Sequence, residues 1–125
     1  MQPRMILVAG ETKGMQKAYA MMLRQYQVAF ADDGRQALER LRSFPEVDLV
    51  LTKVNMPFLD GVELMAKLRE ERGAEAPVVV IVGYEGQEAE IQRALEAGAA
   101  AYIKSPFRSE ELNEVIDRLD SPWED

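Results

Sequence analysis

Residues 47–61 read VDLVLTKVNMPFLDG. Asp48 to Thr52 is apolar without alternation, the pattern of a strand covered on both faces. Met56-Pro57 closes a loop, and Asp60-Gly61-Val62-Glu63 restarts the chain as a helix, with an aspartate cap and a glutamate three residues on. Lys53 stands at the end of the strand, where an open α/β sheet collects its ligands.

The same apolar type appears before and after this stretch, at Met5 to Ala9 (MILVA) and Val78 to Val82 (VVVIV), with shorter strands at Val28 to Ala31 and Ala100 to Lys104. Helical spacing of three and four fills the intervals. Met15 to Gln25 places Met15, Ala18, Tyr19, Met22 and Leu23 on one face. Arg35 to Ser43 follows the Asp33–Gln36 capping pattern, and Val62 to Glu71 turns Leu64, Met65 and Leu68 inward. Gly86 to Ala97 ends at Gly98 as a C-cap. Ser109 caps a last helix to Asp120 that carries Leu112, Val115, Ile116 and Leu119. Met21 and Met22 read as core filler. Five strands alternating with five helices through short loops imply an α/β fold, a parallel sheet with helices on both faces.

The bulk numbers narrow the function. At 125 residues the chain fits one domain; residues 1–120 read as that domain and residues 121–125 (SPWED) as a tail or the start of a linker. Fifteen Lys and Arg against 22 Asp and Glu leave a net charge of −7 with no basic run, which argues against a nucleic-acid partner. Without cysteine or histidine, thiolate and imidazole metal sites and the usual acid–base residue are missing. No stretch approaches the roughly 20 apolar residues of a membrane span. The expectation is a cytoplasmic protein with no membrane partner.

Several short motifs occur together: Asp32-Asp33-Gly34 followed by Ala37-Leu38, Asn55-Met56-Pro57 with Asp60-Gly61, Ala97-Gly98-Ala99, and Tyr102 with Pro106-Phe107. From Met5 to Leu119 the chain resembles the receiver domain of bacterial response regulators. That resemblance implies a doubly wound, flavodoxin-like sheet of strand order 2-1-3-4-5 and a role in two-component signal transduction. It also implies a phosphorylation pocket, and here this sequence departs from the family. Lys53 occupies the position of the phospho-accepting aspartate, and Gly10-Glu11 stands where two acidic residues hold magnesium. Val82 replaces the switch hydroxyl, and Ser105 the lysine before Pro-Phe. An amine cannot form an acyl phosphate, and one carboxylate beside an ammonium suits magnesium poorly. The expectations are no catalytic residue, no metal, no cofactor and no enzyme activity: a pseudo-receiver that binds proteins independently of phosphorylation.

Tyr102 matches the family's aromatic switch position. The resemblance places the interaction face on the fourth helix, fifth strand and fifth helix, including Tyr102, Lys104 and Arg108, for another signalling protein or for a homodimer. A bulge in the fifth strand would instead bring Lys104 into the pocket. Lys53 reads either as a solvated lysine or as the partner of Glu11, an exposed pair worth about 0–1 kcal/mol. The strand-to-helix loop Gly10-Glu11-Thr12-Lys13-Gly14 fits neither the Walker nor the dinucleotide pattern. Lys13 and Lys53 flanking an anion there would make the chain a small-anion or nucleotide sensor, the alternative function.

Overall fold

A computed structural model describes residues 2–119. Five parallel strands, β1 (Met5–Ala9), β2 (Gln27–Ala31), β3 (Leu49–Thr52), β4 (Val78–Tyr84) and β5 (Ala101–Ser105), form one sheet in the order 2-1-3-4-5. The helices α1 (Lys13–Met22), α2 (Gly34–Ser43), α3 (Gly61–Arg72), α4 (Glu88–Glu96) and α5 (Ser109–Arg118) connect or follow them. Every residue of β1 and β3 is buried, as their unbroken apolar runs require. Leu7, Val50 and Ile81 pack beneath α2, α3 and α4, while Ile6, Val8, Leu51 and Val80 pack beneath α1 and α5. The expected doubly wound architecture is the one found.

Several local boundaries differ, each for a local reason. Helix α1 starts two residues before Met15, because the Thr12 hydroxyl caps it by accepting from the Met15 amide at 3.2 Å. It ends three residues before Gln25, where the chain turns through Leu23 and Tyr26 into β2. The inward face of α1 is rotated from the expected one. Gln16, Tyr19 and Leu23 are buried, while Met15 is exposed. Gln16 tolerates burial because its amide donates to the Glu11 carbonyl (3.2 Å) and to Asp32 (3.0 Å). Met21 is 69% exposed and fills no core space, so the reading of Met21 as core filler is corrected.

Strand β4 continues two residues past Val82 to Tyr84, and α4 begins only at Glu88 because Gly86 and Gln87 are used in the turn. Asp60 and Glu63 form the expected reciprocal capping box at α3. At α2 the device is split: Asp33 accepts from the Gln36 amide, whereas the Gln36 side chain accepts from the amide of Asp32. Ser109 is not the cap of α5. The cap position is Arg108, whose backbone N–H donates to the Glu111 carboxylate at 2.8 Å. The expected helical end at Asp120 and the tail at 121–125 lie outside the described residues.

The start of α2 is pressed against the loop before α3. A Cβ at Gly34 would overlap the carbonyl oxygen of Leu59, a backbone atom that cannot swing aside. Gly14, in the first turn of α1, has nothing within 4 Å. Gly34→Ala is therefore expected to destabilise the domain by about 2 kcal/mol through overpacking, and Gly14→Ala to stabilise it by about 0.5–1 kcal/mol through helix propensity. Urea denaturation of the two variants measures both; equal effects would contradict the close approach of α2 to the loop.

Candidate functional site

The C-terminal ends of β1 and β3 are neighbours, with Ala9 opposite Thr52. This register sets Glu11 beside Lys53. The Glu11 side chain is only 4% exposed, with Lys53 Nζ 3.3 Å from Oε1 and the Tyr19 hydroxyl donating to Oε2 at 2.9 Å. Each carboxylate oxygen thus has a partner. Lys53 itself is 31% exposed, and its Nζ lies 5.9 Å from the ring centroid of Tyr84. Of the two readings of Lys53, the pair with Glu11 is the one found; what differs from the expected exposed pair is that the carboxylate is buried, so the pair is less screened than a surface one.

Tyr19 is fully buried and contacts Phe107 edge-to-face, with centroids 6.0 Å apart. Burial, then the Glu11 charge, then the hydrogen bond to it, push the Tyr19 hydroxyl well above the ordinary tyrosine value near 10. Gly10 adopts φ +89°, and a Cβ there would lie 2.9 Å from Met56 Sδ. The Met56 thioether therefore occupies the space next to the missing side chain. The buried Thr52 hydroxyl contacts the same sulfur at 3.6 Å and donates to the Lys53 carbonyl at 3.0 Å.

Among the described residues, none of the remaining expected ones makes a hydrogen bond or ion pair with Glu11 or Lys53. Val82 is buried in the layer beneath α1 and α5 and offers no polar atom. Ser105 is half-buried opposite Tyr84. Strands β4 and β5 pair without a break from Val80–Ala101 to Tyr84–Ser105, so no bulge turns Lys104 inward. Lys104 is exposed near Glu88, whose carboxyl is held below the usual range by the backbone amides of Glu88 and Gly86 and by the Lys104 charge. Tyr102 is 47% exposed. Arg108 lies on the rim, its Nε 3.5 Å from Glu111.

A resident magnesium ion does not fit these residues. The single carboxylate is already shared between an ammonium and a hydroxyl donor, and Gly10 contributes no ligand atom. The loop cations are similarly engaged: Lys13 pairs with Asp32 at 3.2 Å and Lys53 with Glu11. Sequence reasoning placed Tyr19 in the core without a polar role and missed Tyr84, Met56 and Thr52. For Tyr19 a signal existed, because a tyrosine on an inward helical face needs a partner for its hydroxyl. Nothing in the sequence pointed to Met56 lying against Gly10.

Comparison with known proteins agrees with the fold. The family model for the response regulator receiver domain matches residues 6–117. The chain is 36% identical over 87 residues to a chemotaxis protein CheY homolog from Campylobacter jejuni, covering 70% of this chain and 67% of that one. It is 33% identical over 95 residues to the two-component response regulator ORR7 of rice, Oryza sativa, covering 76% of this chain but 45% of that protein. Among solved structures, a putative two-component response regulator/GGDEF domain protein superposes with a TM-score of 0.82 at 28% identity, over 92% of this chain and 48% of its own. The chain belongs to the response regulator receiver domain family.

Two substitutions test the cluster. Lys53→Met keeps the apolar stem but leaves Glu11 without its cation, and is expected to cost about 2 kcal/mol, below the figure for fully buried pairs because Lys53 is partly solvated. Tyr19→Phe tests the hydroxyl through pH. Because the native hydroxyl pKa lies above the unfolded value, its contribution is fully present below about pH 10 and is lost as pH rises further. In urea titrations at neutral and alkaline pH, the stability gap between wild type and Tyr19→Phe should narrow above about pH 10; a gap independent of pH would refute the buried Tyr19–Glu11 bond.

Proposed function

We propose that this receiver domain acts in two-component signalling as a phosphorylation-independent protein-interaction module, without enzyme activity, in the cytoplasm. The observation that carries the reading is the contact of Lys53 with Glu11 at the end of β3. Phosphoryl transfer needs a positioned nucleophile, a metal and charge-stabilising groups together. Here the nucleophile's position holds an ammonium, and the neighbouring carboxylate is committed to it. Val82 cannot bond a phosphoryl oxygen, so pocket occupancy has no polar route to β4 and Tyr102. The domain then keeps one dominant conformation, and binding is set by partner concentration or by a tether. The partner is another signalling protein or a second copy, met through α4, β5 and α5 with Tyr102, Lys104 and Arg108. The alternative of anion sensing loses support because Lys13 and Lys53 are both paired.

Incubation with acetyl phosphate and Mg²⁺, followed by intact-mass measurement, checks the reading. Neither wild type nor Lys53→Asp should gain phosphate, since position 10 still lacks its carboxylate in the variant. A stoichiometric, base-labile gain of one phosphate on wild type would overturn phosphorylation independence. The same gain on Lys53→Asp would show that residue 53 alone disables the pocket.

A further inference from the structure

Phe58, in the loop between β3 and α3, is 68% exposed and sits at φ +72°. A bulky residue is an outlier in that region, where glycine or asparagine serves a turn without strain. The fold gains little burial from this side chain, so the turn gives no reason for an aromatic. Its ring is covered on one face by the Arg35 guanidinium, 4.0 Å from the centroid. Arg35 has no carboxylate partner among the described residues. A stacked guanidinium keeps its in-plane N–H groups for a carboxylate, and aromatic and arginine side chains together are the common anchors of protein interfaces.

The charge of the chain is unevenly placed. Residues 1–62 carry eight Lys and Arg against seven Asp and Glu, whereas residues 63–125 carry seven against fifteen. The segment from Glu85 to Arg118, which builds α4, β5 and α5, holds eight carboxylates and four cations, around the exposed Tyr102. Two copies meeting through that face symmetrically would set carboxylates against carboxylates, a like-charge juxtaposition that suppresses association. The Arg35–Phe58 patch lies where α2 begins and the loop after the central strand β3 passes it, whereas Tyr102 lies on the edge strand β5.

Resting on the interaction reading above, we propose that the occupant of the Arg35–Phe58 patch is the α4–β5–α5 face of a second copy of this chain. Phe58 meets Tyr102, and Arg35 meets the carboxylates of α4, Glu96 among them. Because the two patches differ, one beside the loop after the central strand and one on the β5 edge, the contact is heterologous and each copy of a pair keeps one free patch. Association runs head to tail instead of closing as a two-fold dimer.

Sedimentation velocity over a concentration series tests this. Wild type should form a concentration-dependent series of species that shrinks when salt rises from about 50 mM to about 500 mM, as screening predicts. Phe58→Gly, Arg35→Glu and the double variant Tyr102→Ala/Glu96→Lys should each weaken association about tenfold or more. Arg35→Glu mixed with Tyr102→Ala/Glu96→Lys should give a one-to-one dimer, since each retains the patch the other lacks. Phe58→Gly should be at least as stable to urea as wild type, because it relieves the left-handed strain. A wild type that stays monomeric, a mixture that does not dimerise, or a destabilised Phe58→Gly each overturns the proposal. None of these outcomes alters the acetyl phosphate result, so the two readings fail separately.

Discussion

A carboxylate with 4% of its side chain exposed needs a partner for each oxygen, and Glu11 has a cation on one and a hydroxyl donor on the other. Lys53 reaches it from the end of β3, and Tyr19 reaches it from the middle of α1. Glu11 itself follows β1, so one acidic group ties two strands to a helix. Through the edge contact of Tyr19 with Phe107, the same group also supports the loop that leads into α5. The arrangement is a charged cluster at the C-terminal ends of β1 and β3, next to the buried amide of Gln16. It accounts for the choice of lysine at a strand end where other hydrophilic residues would be solvated equally well.

The departures from the family pattern belong together physically. An ammonium at 53 needs a nearby anion, and Glu11 supplies it. A second acid at 10 would meet Met56, whose sulfur already lies against Gly10, and it would have to adopt φ +89°. Val82 completes the change, since an alkyl group inside β4 packs in the buried layer without asking for a polar partner. Lys53, Gly10, Met56 and Val82 are thus mutually consistent, each removing a demand that another would leave unmet. A pocket altered at one position alone would carry an unpaired charge or a void.

Much of the architecture was legible because it depends on hydrophobic period and on capping chemistry. Unbroken apolar runs marked the covered strands, and Asp60 with Glu63 marked the start of α3. Strand order was accessible only through the receiver resemblance, since alternation of elements permits several windings. The Lys53–Glu11 pair was readable once that order set the ends of β1 and β3 side by side. Its burial was not, because it depends on Tyr19, which donates to Glu11 and is itself backed by Phe107 from a distant part of the chain. The α1 face was misread for a related reason: Gln16 is buried by virtue of two hydrogen bonds to groups outside its helix. Met21 has the hydropathy of a core residue, but the rotation that buries Gln16 turns it to solvent.

The two cation–aromatic contacts of the loop end differ in what they leave available. Lys53 beneath Tyr84 has already given its charge to Glu11, so its interactions are turned inward. Arg35 over Phe58 has no such acid among the described residues, and its ring partner is held in a backbone conformation that costs of order 1–3 kcal/mol. A domain whose folded state is worth only about 5–15 kcal/mol retains such a feature at a measurable expense. The inward pair explains how the pocket is filled. The outward pair leaves a fixed charge and an apolar ring at the surface, the combination from which association is built.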